Sequence, residues 1–174
     1  EGELYIAGGV ESMTRAPFVM GKSTHAFNRH TEIFDSTIGW RFTNKKLADQ
    51  YYPYSMGETA ENIARQWNIG REAQDVFGLA SQEKYFAALA AGKWAGEIAP
   101  VEVLGGKDEK IFFEKDEQPR QTSMEKLAAL RPAFAKDGTV TAGNAAGIND
   151  GAAAMLLASE EAVRKYALKP VARI

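Results

Sequence analysis

The sequence predicts an α/β protein in which a long, mostly helical segment is inserted into an incomplete α/β core. Two observations lead to this fold class. Apolar runs suited to fully buried strands lie near the two ends of the chain, at residues 4–7 and 152–158. Most of the chain between them shows helical periodicity. Such strands belong to sheets covered by helices on both faces, and this chain has too few helices to cover one.

The first elements are irregular after an initial strand. Residues 4–7 form an apolar run closed by Gly8 and Gly9, which is typical of a buried parallel strand. Residues 21–37 are polar and aperiodic, so we expect a surface excursion. Residues 47–54 carry three tyrosines around a proline and predict an irregular loop. The chain starts without an initiator Met and stops inside an apolar run at 171–174, as if both ends lay within strands. We therefore expect a truncated chain.

Two helices follow. Apolar residues recur at i, i+3, i+4 and i+7 in 58–67, and the spacing continues in 71–91, with Gly92 placed to end the second helix. We interpret both apolar stripes as core packing. They comprise Ala60, Ile63, Ala64 and Trp67, then Ala73, Val76, Phe77, Ala80, Ala87, Ala88 and Ala91.

The second half alternates short elements with turns. Val101, Val103, Ile111 and Phe113 alternate with charged residues and predict a hairpin that turns at 105–108. Thr122 and Glu125 form a predicted capping box for a helix over 124–130. Ser159 is placed to cap a helix that reaches about residue 166.

Composition excludes several classes of function. The chain has 174 residues, 45% hydrophobic and 25% charged, with a net charge of -2, so nothing favours binding to nucleic acid or an anionic membrane. It has no apolar run long enough to span a bilayer, and we expect a cytoplasmic protein. Cysteine is absent, which excludes disulfides, thiolate metal sites and cysteine nucleophiles within these residues. His25 and His30 have no third ligand nearby, so we expect no metal site.

Some local patterns leave alternatives open. Glycines at 143, 147 and 151 match neither the phosphate loop nor the dinucleotide fingerprint. They indicate either tight internal packing or a loop that lines a ligand. The sequence Gly105-Gly106-Lys107 predicts a turn, and Glu58 with Glu61 predicts an ordinary surface pair. Five basic residues could contact phosphates or lie on a solvated face. These are Arg41, Lys45, Lys46, Arg120 and Arg131.

Three long motifs give the chain a family resemblance. In order, AGGVESM at 7–13, MGETAEN at 56–62 and VTAGNAAGINDGAA at 140–153 resemble the thiolase family. The SQ pair at 81–82 and LRPAF at 130–134 fit as well, so the resemblance covers nearly the whole chain. The stretch FDSTIGWRF at 34–42 looks most like the branch that acts on 3-oxoadipyl-CoA in the breakdown of aromatic compounds.

The resemblance implies a domain organisation. Residues 1–20 would belong to the N-terminal core domain of an αβαβα fold, and 21–137 to the inserted loop domain that covers coenzyme A. Residues 138–164 would return to the N-terminal core domain, and 165–174 would begin the C-terminal one. It also implies a homo-oligomer, with subunit contacts made by 21–54.

The chemistry that the resemblance implies is a Claisen exchange on coenzyme A thioesters. A cysteine thiolate takes the acyl group, a second cysteine moves protons, and histidine and asparagine side chains help hold oxyanions. In the family these groups lie outside the present residues, so no catalytic residue and no cofactor beyond coenzyme A as substrate is expected here. The residues that the resemblance places along coenzyme A and the acyl group are Ser55, Met56, Arg120, Phe134, Ala142, Ala145, Ala146 and Ile148.

Three positions depart from the family pattern. Many members have His where Ser55 stands and Ser where Ala146 stands, and Arg120 is offset by about one residue in an ungapped comparison. The first hypothesis is a partial thiolase of the 3-oxoadipyl-CoA type. The alternatives are an acetyl-CoA acetyltransferase, a 3-ketoacyl-CoA thiolase of fatty-acid degradation, and a non-catalytic segment for coenzyme A binding or oligomerisation.

Overall fold

The computed structural model describes residues 2–106 and 109–174. The strands are β1 (Leu4–Ser12), β2 (Phe18–Met20), β3 (Ile33–Asp35), β4 (Val101–Leu104), β5 (Lys110–Phe113) and β6 (Asp150–Ala158). The α-helices are α1 (Lys45–Ala48), α2 (Met56–Gln66), α3 (Arg71–Ala90), α4 (Met124–Ala128) and α5 (Glu160–Lys165). Single 3-10 turns lie at Met13–Arg15 and Lys93–Gly96.

The chain divides into two compact units. One contains the residues up to Thr43 together with Ile148–Ile174, and the other contains Asn44–Gly147. The domain boundaries at 20, 137 and 164 that the resemblance implies stay a prediction. No helix within the described residues is long and apolar enough to cross a membrane.

The first unit is built on an antiparallel pair. β1 and β6 pair along their whole length, from Leu4 opposite Ala158 to Ser12 opposite Asp150. The prediction of a parallel strand was wrong, because an apolar run says nothing about the direction of its neighbour. The strand also continues through Gly8 and Gly9. Its side chains are largely exposed, Ile6 at 82%, so the prediction that this chain does not cover its own sheet is confirmed.

A side-chain contact joins the 3-10 turn after β1 to the first residue of β6. The Thr14 hydroxyl donates to Asp150 Oδ2 at 2.6 Å, and the Thr14 amide donates to Asp150 Oδ1 at 2.9 Å. These bonds, the side-chain one first, hold the pKa of the Asp150 carboxyl below its usual value.

The other segments of this unit differ from prediction in two places. Residues 21–37 are not all irregular, since β3 pairs antiparallel with β2, Val19 opposite Phe34. A three-residue strand is too short to show periodicity, so it could not be predicted from the pattern of residues. The strand expected at 171–174 is absent: these residues pair with no described strand, and Val171 and Ile174 are fully exposed. The cap predicted for α5 is confirmed, since Ser159 Oγ accepts from the Ala162 amide at 3.1 Å.

Caps set the helix boundaries in the second unit. α2 begins two residues earlier than predicted because Ser55 caps it, and α3 ends before Gly92, which has φ of +69° as the sequence predicts. The capping box of Thr122 and Glu125 was wrong by one residue, because Ser123 Oγ accepts the Lys126 amide instead. The expected loop at 47–54 overlaps α1, which Asn44 caps.

The helical stripes form the core that their spacing predicts only at Ala64, which is buried. Trp67 and Val76 are largely exposed, and Phe77 is 79% exposed. The buried residues of this unit comprise Ala64, Leu127 and Val140 with three polar ones, Glu61, Asp75 and Thr141. Periodicity finds the apolar face of a helix, but in α2 and α3 the inner faces carry carboxylates that pair with donors from later in the chain.

The predicted hairpin is confirmed. β4 and β5 pair antiparallel, Val101 opposite Phe113, and the Gly105 amide donates to the Glu109 carbonyl at 2.6 Å. Lys107 and Asp108 lie outside the described residues, so the predicted turn at Gly105-Gly106-Lys107 stays a prediction.

Candidate functional site

The first turn of α2 brings together three of the residues that the resemblance places along a ligand. Ser55 is its N-cap, Met56 is its first residue and 83% exposed, and the ring of Phe134 lies across Gly57. A Cβ at position 57 would overlap the Phe134 ring atoms, so only glycine admits the ring this close to the helix. Phe134 is 39% exposed, and part of its face is therefore open to a ligand.

The Ser55 hydroxyl is engaged by the helix that it caps. It accepts from the Glu58 amide at 3.3 Å, and Glu58 Oε2 accepts from the Ser55 amide at 2.8 Å. This reciprocal capping box fixes the chain at the residue before Met56. The backbone bond from Ser55, then the side-chain one, lowers the pKa of the Glu58 carboxyl, which keeps the box intact at neutral pH.

A second contact region lies one turn further along α2. The Glu61 carboxylate accepts the Thr139 amide at 2.9 and 3.0 Å, the Val140 amide at 2.8 Å and the Thr139 hydroxyl at 3.2 Å. Glu61 is only 4% exposed. Gly138 passes so close to the carboxylate that a Cβ there would overlap it. The surface pair predicted for Glu58 and Glu61 was therefore wrong for Glu61.

Glu61 remains ionised despite its burial. Burial raises the pKa of its carboxyl, which is the largest single influence. The hydrogen bonds from Val140 and Thr139, with the positive charge of Arg65, together outweigh burial and bring the pKa below the usual 4.5. A buried carboxylate at neutral pH is stable only where donors are already in place, and here the backbone supplies them.

The segment that begins at Thr139 is held at Asn144 by α3. Asp75, 1% exposed, accepts from Arg71 Nε at 2.7 Å and from Asn144 Nδ2 at 2.9 Å. Arg71 also donates to the carbonyls of Leu127 and Leu130, which ties the end of α4 to the same ion pair. One buried carboxylate thus joins two segments that are far apart in the sequence.

Residues 139–144 make a sharp turn between their bonds to Glu61 and their bond to Asp75. Asn144 Oδ1 accepts a hydrogen bond from the backbone amide of Thr141 at 2.8 Å. The backbone amide of Asn144 donates to the Thr141 carbonyl at 3.2 Å. A Cβ at Gly143 would lie 2.5 Å from a methyl of Leu127 and 2.7 Å from one of Leu130. The packing alternative for the glycine-rich stretch is therefore confirmed at Gly143. In and just after this turn, Ala142 and Ala146 are exposed and Ala145 is half-buried.

Arg120 and Ile148 lie elsewhere. The Arg120 amide donates to Gln82 Oε1 at 2.8 Å, which fixes its backbone on α3 while the residue itself is exposed. Tyr85, one helical turn along, donates to Asp116 Oδ2 at 3.2 Å and holds the preceding residues on the same helix. Ile148 belongs to the other compact unit, so the structure does not test its place beside the alanines.

The first unit has a wide cavity of about 530 Å³. His30 and Arg41 line it, and Arg41 Nη1 donates to the Gly39 carbonyl at 2.8 Å. Within the described residues, no three His, Asp or Glu side chains are grouped so that they could hold a metal ion.

Sequence reasoning missed the polar contacts that shape this region. They are made by Glu61 and Asp75, which are buried, and by Gln74 and Asn144, which are half-buried. A partial signal was present, since Arg71 and Asp75 stand at i, i+4, the spacing of a helical ion pair. Nothing in the local pattern revealed Glu61, because its donors come from residues 139 and 140.

A sequence model of a known family, described as "Thiolase, N-terminal domain", matches residues 1–161. The chain belongs to the thiolase family. Its α/β fold is thiolase-like as well: the structure of human mitochondrial 3-ketoacyl-CoA thiolase superposes on 97% of this chain with a TM-score of 0.80 and 42% identity. This chain covers 42% of that structure.

Curated relatives match the whole of this thiolase chain. A beta-ketoadipyl-CoA thiolase of Pseudomonas putida is 53% identical over 175 aligned positions, and an acetyl-CoA acetyltransferase of Pseudomonas aeruginosa is 46% identical over 176. The chain spans 44% of the length of each. It is thus a partial thiolase, and with no cysteine among its 174 residues it contributes no thiolate nucleophile.

Proposed function

We propose that the full-length protein containing this chain transfers an acyl group between 3-oxoadipyl-CoA and coenzyme A, and that this segment contributes the binding of coenzyme A and of the acyl chain. The observation that carries the proposal is the similarity of the whole chain, at 53% identity, to a beta-ketoadipyl-CoA thiolase. Identity to an acetyl-CoA acetyltransferase is lower, at 46%.

The geometry of the second unit supports a binding role. The open face of Phe134 and the exposed Met56 offer apolar surface at the start of α2. Ala142, Ala145 and Ala146 offer small side chains in and beside a turn that Asn144 and Asp75 hold in place. Small side chains leave room for a narrow ligand close to the backbone, which suits a pantetheine arm. Arg120 would supply a charge-assisted donor to a phosphate of the nucleotide.

The experiment compares substrates in the full-length protein. We expect thiolysis with kcat/KM about tenfold or more higher for 3-oxoadipyl-CoA than for acetoacetyl-CoA. An equal or reversed preference would favour the acetyl-CoA acetyltransferase alternative, and preference for a long-chain 3-oxoacyl-CoA would favour fatty-acid degradation. No turnover of any of these would contradict acyl transfer altogether.

The 174-residue chain serves as the matched control. It has no cysteine, so it should show no thiolysis under the same conditions. Measurable turnover by this chain alone would contradict the division of labour that we propose. Calorimetry with coenzyme A tests whether the chain retains weak binding, which is the non-catalytic alternative.

We also propose that residues 21–54 contribute subunit contacts in a homo-oligomer. Phe27 and Tyr51, among the large side chains of this segment, are strongly exposed. Shortening the segment in the full-length protein should lower the mass measured by light scattering. An unchanged oligomer would contradict the proposal.

A further inference from the structure

Glu61 is an unusual residue for its place. It is a buried carboxylate whose hydrogen-bond donors in the described residues are the hydroxyl and amide of Thr139 and the amide of Val140. Among the described residues, no lysine or arginine forms a salt bridge with Glu61. Arg65 acts on it only through the longer-range attraction of its positive charge. Burying a charge costs free energy unless several strong donors are preplaced. Here the donors are supplied by Thr139 and Val140, which lead into the turn at residues 139–144.

The bonds of Glu61 fix the backbone rather than a side chain. Two consecutive amides point at one carboxylate, and this sets the direction in which the chain enters the turn. The closeness of Gly138 extends the contact by one residue, because any side chain there would push the segment away from α2. Gln74 of α3 donates to the Thr139 hydroxyl at 2.8 Å and completes the arrangement.

The far end of the turn is fixed by Asp75 of α3 and by the first residue of the turn. Asp75 and the Thr139 carbonyl both accept from Asn144 Nδ2, at 2.9 and 3.1 Å. The turn is therefore held at its start by Glu61 of α2 and Gln74 of α3, and at its end by Asp75 of α3. The carboxylates that anchor it are buried, while Ala142 and Ala146 are exposed.

We propose that Glu61 is a positioning residue for coenzyme A: its carboxylate holds Thr139 and Val140 so that Ala142, Ala145 and Ala146 form a fixed wall for the pantetheine arm. This inference rests on the proposed function. Glu61 touches no substrate itself. It fixes the conformation of the turn before the ligand binds. Binding then costs less conformational entropy, and the affinity is higher.

The test is Glu61→Gln in the full-length protein, with Glu83→Gln as the matched control. Glutamine keeps the shape of the side chain but has one acceptor oxygen, and its amide nitrogen would face an N–H group. Glu83 lies on α3 and is exposed, so its substitution should change nothing measurable. We expect Glu61→Gln to raise KM for coenzyme A about tenfold while kcat changes by less than about twofold.

A comparison of KM for two thiol acceptors, coenzyme A and pantetheine, shows which part of the ligand the Glu61 variant affects. With pantetheine in place of coenzyme A, Glu61→Gln should raise KM by a similar factor, because the wall contacts the arm that both thiols share. Arg120→Ala should raise KM for coenzyme A alone. Thr139→Val removes one donor to Glu61 and should give a smaller rise than Glu61→Gln.

The outcomes separate the inference from the proposed function. Loss of kcat with unchanged KM would show that Glu61 only stabilises the fold, and would overturn the inference while leaving the proposed function standing. A KM effect with coenzyme A that is absent with pantetheine would overturn it as well. Absence of thiolysis in the wild-type full-length protein would overturn the proposed function and this inference with it.

Discussion

The two compact units are ordered by different interactions. In the first, β1 and β6 are joined by a long backbone ladder, and large apolar side chains such as Ile6 and Val10 face solvent. In the second, the turn at 139–144 has no ladder and is fixed by two buried carboxylates, Glu61 and Asp75. A ladder of many equivalent bonds tolerates the loss of one contact. A segment held by a few charge-assisted bonds does not.

The largest effect should follow removal of the Glu61 carboxylate. Glu61→Ala leaves the amides of Thr139 and Val140 buried without their acceptor, so the free energy of unfolding should fall by about 3–5 kcal/mol. Chemical denaturation measures it, with Glu83→Ala as the exposed control, for which about 0.5 kcal/mol or less is expected. If the two variants lose the same stability, the buried carboxylate of Glu61 does not hold the second unit together as described.

A somewhat smaller loss is expected where Phe134 crosses α2. Gly57→Ala places a methyl group in the space of the ring, which should cost about 1–3 kcal/mol through overpacking. Phe134→Ala removes the obstacle, so the double variant should lose less than the sum of the single ones. Additive losses in that cycle would show that the ring and the glycine do not interact.

The next effect is a pH dependence of the contribution that Glu61 makes to the second unit. The folded-state pKa of Glu61 lies below 4.5, so its ionised form stabilises the fold fully above that pH, and the contribution is lost as pH falls through the folded pKa. The difference in unfolding free energy between wild type and Glu61→Gln should therefore be constant at neutral pH and shrink on acidification. A difference that does not shrink on acidification would contradict this assignment.

The smallest effect on stability is expected on the exposed sheet. Ile6→Thr in β1 should change the free energy of unfolding by about 0.5 kcal/mol or less, because the side chain is exposed. It should nevertheless reduce self-association of the 174-residue chain in light scattering, since the face is apolar. Glu11→Gln on the same strand is the control and should leave association unchanged. Equal association of all three proteins would show that this face is not involved.

The sequence revealed those parts of the fold that depend on neighbouring residues. The cap at Ser159 and the end of α3 before Gly92 could both be predicted, because capping and positive φ are set within a few residues. The cap of α4 was misplaced by one residue, since Thr122 and Ser123 are equally suited and only the backbone decides between them.

What the sequence did not reveal depends on distant partners. The antiparallel pairing of β1 with β6, like the pairing of Glu61 with Val140, joins residues far apart in the chain. Apart from Ala64, the apolar stripes of α2 and α3 were mistaken for core positions, because periodicity does not show which face meets a partner. The candidate ligand residues came from motif resemblance, and the structure adds the groups beneath them that local pattern could not supply.

The spacing of Gly57 and Glu61 has a consequence for insertions and deletions. The two residues are four apart on α2, so they lie on the same side of the helix about 6 Å apart along its axis. One meets Phe134 and the other meets Thr139 and Val140. Adding or deleting one residue between them would turn Glu61 by about 100° away from its donors. Within the second unit, this single turn should tolerate length changes least, while the loops outside it can vary.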